Sequence, residues 1–219
     1  SQAGDRVAAA KGLSCFETPT GWKFFGNLLD DGRITLCGEE SAGTGSDHVR
    51  EKDGLWAVLL WLNILAVTGK SVQALLAEHW QTYGRNYYTR HDYEAVETDK
   101  ANAVMDGVRA KLGDLPGQSF AAGVGAAADE FAYDDPVVGS RSAGQGLRVM
   151  FEGGARVVFR LSGTGTEGAT IRVYLEAFEE DPAKIGADPA EALAAVIETA
   201  EALSGLRAIT GRAGPDVTT

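Results

Sequence analysis

The chain has 219 residues, of which 44% are hydrophobic and 23% charged, the usual balance of a globular protein that buries a core without disulfide bonds. Its formal net charge of −11 argues against a nucleic-acid-binding protein, because such proteins present a basic face to the phosphate backbone. The longest apolar run, Leu55 to Val67, is shorter than the ~20 residues of a membrane span, so it predicts a buried core helix and no membrane partner.

The cysteines and histidines give no sign of a disulfide or a metal site. Cys15 and Cys37 each stand in a short apolar run, which predicts two reduced, buried cysteines in a cytoplasmic protein. The three histidines, His48, His79 and His91, are dispersed along the chain, so no metal site is predicted within it. The first residues show no signal-peptide pattern.

The first portion of the chain alternates strand-like and helix-like segments. The predicted elements are a helix ending at Lys11, a strand over Leu13–Glu17, a helix over Trp22–Leu29, a strand over Ile34–Cys37, a helix between Asp53 and Gly69, and a helix over Val72–Tyr83. Such alternation indicates parallel α/β structure. The strands are too few for a complete doubly wound domain, so residues 1–86 are predicted to form a partial α/β domain with a mixed sheet.

The second portion is richer in strands. Strands are predicted over Tyr87–Val96, Leu147–Phe151, Val157–Leu161 and Thr170–Phe178, and helices over Ala101–Leu112 and from Asp188 to Leu203. The pair Gly153–Gly154 lies between two of the strands and predicts a tight hairpin. Residues 87–219 are therefore predicted to be an α+β domain, with an antiparallel sheet covered by helices on one face.

A glycine-rich loop, Gly38 to His48, follows the strand that ends at Cys37. Its carboxylates and hydroxyls are suited to hydrogen bonds with the vicinal hydroxyls of a sugar, but the same residues would also form an ordinary solvated turn. Lys52, a few residues further on, could act beside such a loop as an electrostatic clamp or as a proton donor.

A second loop, Gly163 to Gly168, matches the G-x-G-x-x-G pattern of dinucleotide-binding proteins. The residues after it alternate and are β-branched, so they predict a strand where the dinucleotide site needs a helix. Ala169 also replaces the lysine of a nucleotide P-loop. Two interpretations of this loop, which is flanked by Arg160 and Arg172, stay open. Either the two arginines bind one phosphate group, which an acidic chain must hold by local positive charge, or the loop is a tight turn with an incidental arginine.

Three long motifs, in this order along the chain, resemble those of one family. They are Glu17–Asn27, Gly38–Gly54 and Arg160–Arg172, and they are similar to motifs of the α-D-phosphohexomutases, above all of the phosphoglucomutase branch. The resemblance implies an enzyme of four domains that interconverts glucose 1-phosphate and glucose 6-phosphate. It also implies a phosphoserine in the first domain, Mg²⁺ held by three aspartates in the second, and a glucose 1,6-bisphosphate intermediate.

The resemblance also assigns roles to residues of this chain. Residues 1–86 would belong to the third, sugar-binding domain, and residues 87–219 to the fourth, phosphate-binding domain, which is TATA-box-binding-protein-like in fold. The implied sugar-binding residues are Thr20, Gly21, Glu39 and Ser41, with Lys52 as electrostatic stabiliser or acid. The implied phosphate-binding residues are Arg160, Ser162, Gly163, Thr164 and Arg172, with Arg90 in support of that site or of a domain interface.

The family's serine loop and its Asp-x-Asp-x-Asp run do not occur in this sequence. The chain is therefore expected to be the substrate-recognition half of a phosphoglucomutase, inactive without the amino-terminal domains of the same protein. A partial third domain would leave apolar surface open, which favours dimers of the fragment. Two alternatives stay open: a non-enzymatic sugar-phosphate-binding module, and a scaffolding relative of the enzymes.

Overall fold

The computed structural model describes residues 1–165 and 168–219, and for Thr164 and Gly165 it describes the backbone alone. The chain forms two compact units. The first consists of Ser1–Gly84 and Ala132–Ala143, and the second of Arg85–Phe131 and Gly144–Thr219. The boundary expected between residues 86 and 87 stays a prediction.

The helices and strands are as follows. The helices are α1 (Ala3–Lys11), α2 (Trp22–Asp30), α3 (Gly54–Thr68), α4 (Val72–Tyr83), α5 (Thr98–Arg109), α6 (Pro189–Ser204) and α7 (Leu206–Thr210). The strands are β1 (Leu36–Gly38), β2 (Thr44–Ser46), β3 (Arg85–Val96), β4 (Ser119–Phe120), β5 (Gly123–Glu130), β6 (Tyr133–Asp134), β7 (Arg141–Ser142), β8 (Leu147–Phe151), β9 (Arg156–Gly165), β10 (Gly168–Glu179) and β11 (Val217–Thr218).

The ends of α3 and α4 follow the residues that sequence analysis singled out. The Asp53 side chain accepts a hydrogen bond from the Trp56 N–H and caps the start of α3. Gly69 ends α3 in the left-handed conformation, with φ of 65°, which costs glycine little because it has no Cβ. Ser71 caps α4 in the same way as Asp53 caps α3.

The strands of the first unit pair as two antiparallel hairpins, β1 with β2 and β6 with β7. The parallel pairing expected there is not seen among its described residues. The predicted strand Leu13–Glu17 is wrong, since these residues form neither helix nor strand and Cys15 is exposed rather than buried. A strand needs a neighbouring strand for its backbone hydrogen bonds, and the described part of the unit offers this segment none.

Helix α3 is not the buried core helix that its composition predicts. None of its residues is buried, and Leu55 and Val67 are 79% and 85% exposed. Over the described residues no single helix has the length and hydropathy to cross a bilayer; α3 and α4 meet that test only as a pair, with a bend of 84° between them. An apolar surface of this kind is typical of a face that another part of a protein covers.

The second unit contains a seven-stranded antiparallel sheet in the order β11-β3-β10-β9-β8-β5-β4. Alternate residues of β10 are buried, Ile171, Val173 and Leu175 among them, and they pack with residues of α5 and α6 in one core. The hairpin predicted at Gly153–Gly154 is confirmed, because β8 and β9 pair on either side of it. The α+β arrangement predicted for this part of the chain is confirmed as well.

The β6–β7 hairpin packs on α2 within the first unit. The ring of Tyr133 meets that of Phe24 edge to face, with centroids 5.4 Å apart. The Asn27 amide donates to Asp135 Oδ2 at 2.7 Å, while Asp135 Oδ1 accepts from the N–H groups of Val137 and Val138. The bond from Asn27 is the main reason why the pKa of Asp135 lies below its ordinary value.

Replacing Asn27 with alanine is therefore expected to lower the free energy of unfolding at pH 7 by about 1–3 kcal/mol, because a buried carboxylate loses one donor. Since the pKa of Asp135 is lower in the folded than in the unfolded chain, the stability it contributes is present above the unfolded pKa. That stability is lost as the pH falls through the folded pKa, so the deficit of the variant shrinks in acid. Urea unfolding at pH 7 and pH 3 measures both effects.

The matched control is Asn63→Ala, because Asn63 is exposed on α3 and its amide donates to a carbonyl of its own helix. A deficit for Asn27→Ala that equals that of the control, or that grows towards low pH, would contradict the role given to Asp135.

Candidate functional site

The glycine-rich loop and Lys52 come together in the first unit. The Lys52 Nζ atom lies 2.5 Å from Glu39 Oε2 and 5.7 Å from the centre of a Trp22 ring. The Glu39 side chain is 17% exposed. A Cβ at Gly43 would lie 2.9 Å from Glu39 Oε2 and 3.0 Å from Lys52 Cδ, so any other residue at this position would push the two paired side chains aside. The paired charges make Glu39 part of a structured site rather than a freely solvated side chain.

Trp22 is a member of this site that sequence analysis did not single out. Its indole Nε1–H is buried and has no acceptor among the described residues. A Cβ at Gly45 would lie 3.0 Å from the Trp22 ring, so the loop passes directly against the indole. Gly21 caps α2 immediately before Trp22 with φ of 130°, and the neighbouring Thr20 is exposed. Only its place in the sequence could have identified Trp22, because it directly follows Thr20 and Gly21, two predicted sugar-binding residues.

Ser41 is exposed at the tip of the loop. The turn there is closed by two backbone hydrogen bonds, from the Ala42 N–H to the Glu39 carbonyl and from the Glu39 N–H to the Gly43 carbonyl. Ser41 therefore lies inside a turn of fixed shape, next to Glu39 in sequence.

In the second unit the predicted phosphate-binding arginines face each other across two strands. Arg160 of β9 is directly opposite Arg172 of β10 in the register of the sheet. Like charges directly opposite each other destabilise a sheet unless a counter-charge lies between them. The Nε atom of Arg172 is buried and makes no hydrogen bond within the described part of the chain. A position between two guanidinium groups is well suited to a bidentate anion such as phosphate.

Two neighbouring side chains orient these arginines. Tyr174 accepts a hydrogen bond at its hydroxyl from an Arg160 Nη atom, at 3.0 Å. Asp92, of which 4% is exposed, lies 3.8 Å from Arg172 Nε and accepts from Arg90 Nε at 2.9 Å. The cluster thus holds three guanidinium groups and one carboxylate, and Arg90 acts on it through Asp92.

The other predicted phosphate-binding residues continue from Arg160 along β9. Ser162 lies two residues further on the strand and is opposite Thr170 of β10. Gly163 is exposed and takes the left-handed conformation, with φ of 63°. The side chain of Thr164, and Thr166 and Glu167 of the loop, lie outside the described residues. The strand predicted after Gly168 is confirmed, so the loop lacks the helix that a dinucleotide site requires.

Asp92, Tyr174 and a glycine that makes room for Arg160 were not predicted from the sequence. A Cβ at Gly146 would lie 2.9 Å from Arg160 Cγ. Asp92 and Tyr174 each follow a predicted arginine by two residues, Arg90 and Arg172, on the same strand. Period-two alternation places such a residue on the same face as its arginine, and this signal would have found both. Over residues 1–165 and 168–219, no group of His, Cys, Asp and Glu side chains is arranged to hold a metal ion.

Comparison with known proteins gives two matches to family profiles. "Phosphoglucomutase-1, C-terminal domain" matches residues 85–216. "Phosphoglucomutase/phosphomannomutase, alpha/beta/alpha domain III" matches residues 1–83, which agrees with the α/β class predicted for the first portion.

Relatives match over the whole chain. It is 57% identical over 219 residues to a phosphoglucomutase of Rhizobium radiobacter, covering 100% of the chain and 40% of the relative. It is 54% identical to phosphoglucomutase-1 of Homo sapiens, covering 98% of the chain and 39% of the relative. The crystal structure of pp63/parafusin from Paramecium superposes with a TM-score of 0.93 at 48% identity, covering 100% of this chain and 38% of that one. The chain thus spans about 40% of the length of the curated relatives it matches.

Proposed function

The chain belongs to the phosphoglucomutase family, and we propose that it is the substrate-recognition part of an enzyme that interconverts glucose 1-phosphate and glucose 6-phosphate. The observation that carries the proposal is the opposed pair Arg160 and Arg172. Two facing guanidinium groups repel each other in the free chain, whereas a phosphate monoester between them would accept hydrogen bonds from both.

The phosphate that is not being transferred is bound by the cluster on β9 and β10. The residues proposed to hold it are Arg160, Ser162, Gly163, Thr164 and Arg172. Arg160 and Arg172 supply charge-assisted hydrogen bonds, and Ser162 and Gly163 supply a hydroxyl and a backbone N–H at the end of β9. Arg90 supports the cluster through its ion pair with Asp92.

The sugar is bound by the loop of the first unit. Glu39 and Ser41 hydrogen-bond to sugar hydroxyls, and Thr20 and Gly21 contribute from the turn before α2. Lys52, paired with Glu39 in the free chain, stabilises negative charge on the transferring phosphoryl group or donates a proton to the departing oxygen.

Phosphoryl transfer also needs a nucleophile and neutralisation of charge, which Mg²⁺ supplies when bound. The carboxylates of the described residues are not arranged for Mg²⁺, so we assign the metal ligands and the phosphoserine to the portion of the relatives that this chain does not match. Glucose 1,6-bisphosphate is the proposed intermediate. The 219-residue chain alone is accordingly proposed to be inactive.

The partners of the chain are then the amino-terminal domains of the same protein and the two glucose phosphates. The exposed apolar residues of α3 favour a dimer when the chain is on its own. A cytoplasmic location is proposed because relatives from Pisum sativum and Arabidopsis thaliana carry that word in their names.

A fusion of this chain to the preceding part of the Rhizobium radiobacter relative tests the proposal. The fusion is expected to convert glucose 1-phosphate to glucose 6-phosphate in a coupled assay with Mg²⁺, whereas the chain alone converts none. The same fusion with Arg160→Gln is expected to lose most of this activity.

A folded fusion without mutase activity that still binds glucose phosphates would favour a non-enzymatic sugar-phosphate-binding module instead. A folded fusion that neither reacts with nor binds them would favour a scaffolding relative.

A further inference from the structure

We propose that His48 is a positioning residue: it ties the two ends of the segment 47–52 together and so holds Lys52 against Glu39. The inference rests on the proposed function, because it concerns how the sugar-binding loop presents its lysine. We call this segment the lysine loop.

Both ring nitrogens of His48 are hydrogen-bonded. The Nδ1 atom lies 2.6 Å from Ser46 Oγ, at the end of β2, and the Nε2 atom lies 2.9 Å from Asp53 Oδ2, at the start of α3. The imidazole also stacks on the Trp56 ring of α3, with centroids 5.5 Å apart and an angle of 20° between the planes. His48 therefore connects the strand before the lysine loop to the helix after it.

The direction of the two hydrogen bonds follows from the chemistry of Asp53. An ionised carboxylate only accepts, so the His48 Nε2–H donates to Asp53 Oδ2, and in the tautomer with its proton on Nε2 the Nδ1 atom accepts from the Ser46 hydroxyl. The other oxygen of Asp53 accepts from the Trp56 N–H and caps α3. The bond from His48 is the main cause that lowers the pKa of Asp53, so this carboxylate stays ionised at neutral pH. Ser46 is buried, with 8% exposed, which suits a structural hydrogen bond better than a nucleophile.

Lys52 is the last residue of the lysine loop and immediately precedes Asp53. The Asp53 N–H donates to the Thr44 carbonyl at 3.0 Å, so the backbone next to Lys52 is bonded to β2 as well. The Lys52 side chain is 52% exposed, and its ammonium group is placed by Glu39 and by the Trp22 ring. A lysine on a loop whose ends are tied loses less conformational freedom when a ligand binds than one on an open loop.

The test compares three variants of the 219-residue chain. His48→Phe keeps a flat ring that can stack on Trp56 and removes both hydrogen bonds. His48→Gln keeps an amide that can bond to Asp53 or Ser46, and is the conservative rescue. His79→Phe is the matched control, because the His79 ring contacts Tyr83 of the same helix α4, with ring centroids 5.0 Å apart and the planes tilted by 50°.

Two measurements need no ligand: hydrogen exchange of the amides of residues 44–53, and the rate at which an amine-acylating reagent modifies Lys52. In His48→Phe both are expected to rise about tenfold, since two hydrogen bonds that close the loop are lost. His48→Gln should fall between His48→Phe and the wild-type chain, and His79→Phe should match the wild-type chain. Rates in His48→Phe that equal those of the wild-type chain overturn the inference.

The third measurement is the affinity for glucose 6-phosphate and for inorganic phosphate. His48→Phe is expected to weaken glucose 6-phosphate binding about threefold to tenfold and to leave inorganic phosphate binding unchanged. Faster exchange and acylation with an unchanged affinity for glucose 6-phosphate would also overturn the positioning role. If the wild-type chain binds no glucose 6-phosphate, the claim that this chain recognises the ligand on its own fails, and the two ligand-free measurements still decide whether His48 positions Lys52.

Discussion

Replacing Arg160 with glutamine is expected to weaken binding of glucose 6-phosphate and inorganic phosphate by about 10- to 100-fold, the effect of losing charge-assisted hydrogen bonds worth about 1.5–3 kcal/mol. The same change relieves the repulsion between Arg160 and Arg172 in the free chain. We therefore expect the free energy of unfolding to stay the same or to rise by up to about 1 kcal/mol. Calorimetric titration measures the first quantity and urea unfolding the second.

Arg156→Gln is the matched control on the same strand. Arg156 is opposite Glu176 of β10 rather than another arginine, and the two side chains form an ion pair at 3.4 Å. Replacing Arg156 removes a cationic partner of the Glu176 carboxylate, which is only 3% exposed. The substitution is therefore expected to lower the free energy of unfolding and to leave phosphate binding intact. If Arg160→Gln instead behaves like this control, losing stability and keeping its affinity for phosphate, the site is wrongly assigned.

Replacing Phe159 with alanine is expected to lower the free energy of unfolding of the second unit by about 3–5 kcal/mol. Phe159 is fully buried, at 0% exposure, and is the largest of the fully buried side chains of the chain's described part. A typical domain is stable by about 5–15 kcal/mol, so such a loss removes a large share of the total. Since Arg160 is the next residue of β9, we also expect phosphate binding to fail at temperatures where the variant unfolds.

Val158→Ala is the control for this prediction, because Val158 lies one residue before Phe159 and points to the other face of the sheet, where it is half-buried. Its cost is expected to be about 1 kcal/mol or less. Equal losses from the two substitutions in thermal or urea unfolding would show that the assigned face of β9 is wrong.

Local signals in the sequence predicted local structure well. Asp53 and Gly69 predicted the ends of α3, because capping depends only on neighbouring residues. The same helix shows the limit of such signals. Its apolar residues indicate a preference for burial, but burial requires another element to pack against, and none of its side chains is buried in this chain. The predicted strand Leu13–Glu17 did not form for a similar reason, since a strand needs a partner.

The candidate sites were predicted in part. Arg160 and Arg172 were singled out from the sequence, but their face-to-face placement depends on the register between β9 and β10, which residue spacing alone does not fix. Asp92 comes from β3, a strand distant in sequence from Arg172, so their contact is a product of the sheet order. In the glycine-rich loop Gly38–His48, the sequence left open whether Glu39 was an exposed turn residue. Its ion pair with Lys52 depends on how the loop folds back after β1 and β2.

The most direct test of the account is a calorimetric titration of the 219-residue chain with glucose 1-phosphate, glucose 6-phosphate and inorganic phosphate. We predict saturable binding of all three, weakened in each case by Arg160→Gln and unaffected by Arg156→Gln. The absence of saturable binding of any of the three to the folded chain, or binding that survives Arg160→Gln undiminished, would contradict the claim that this chain by itself recognises a sugar phosphate.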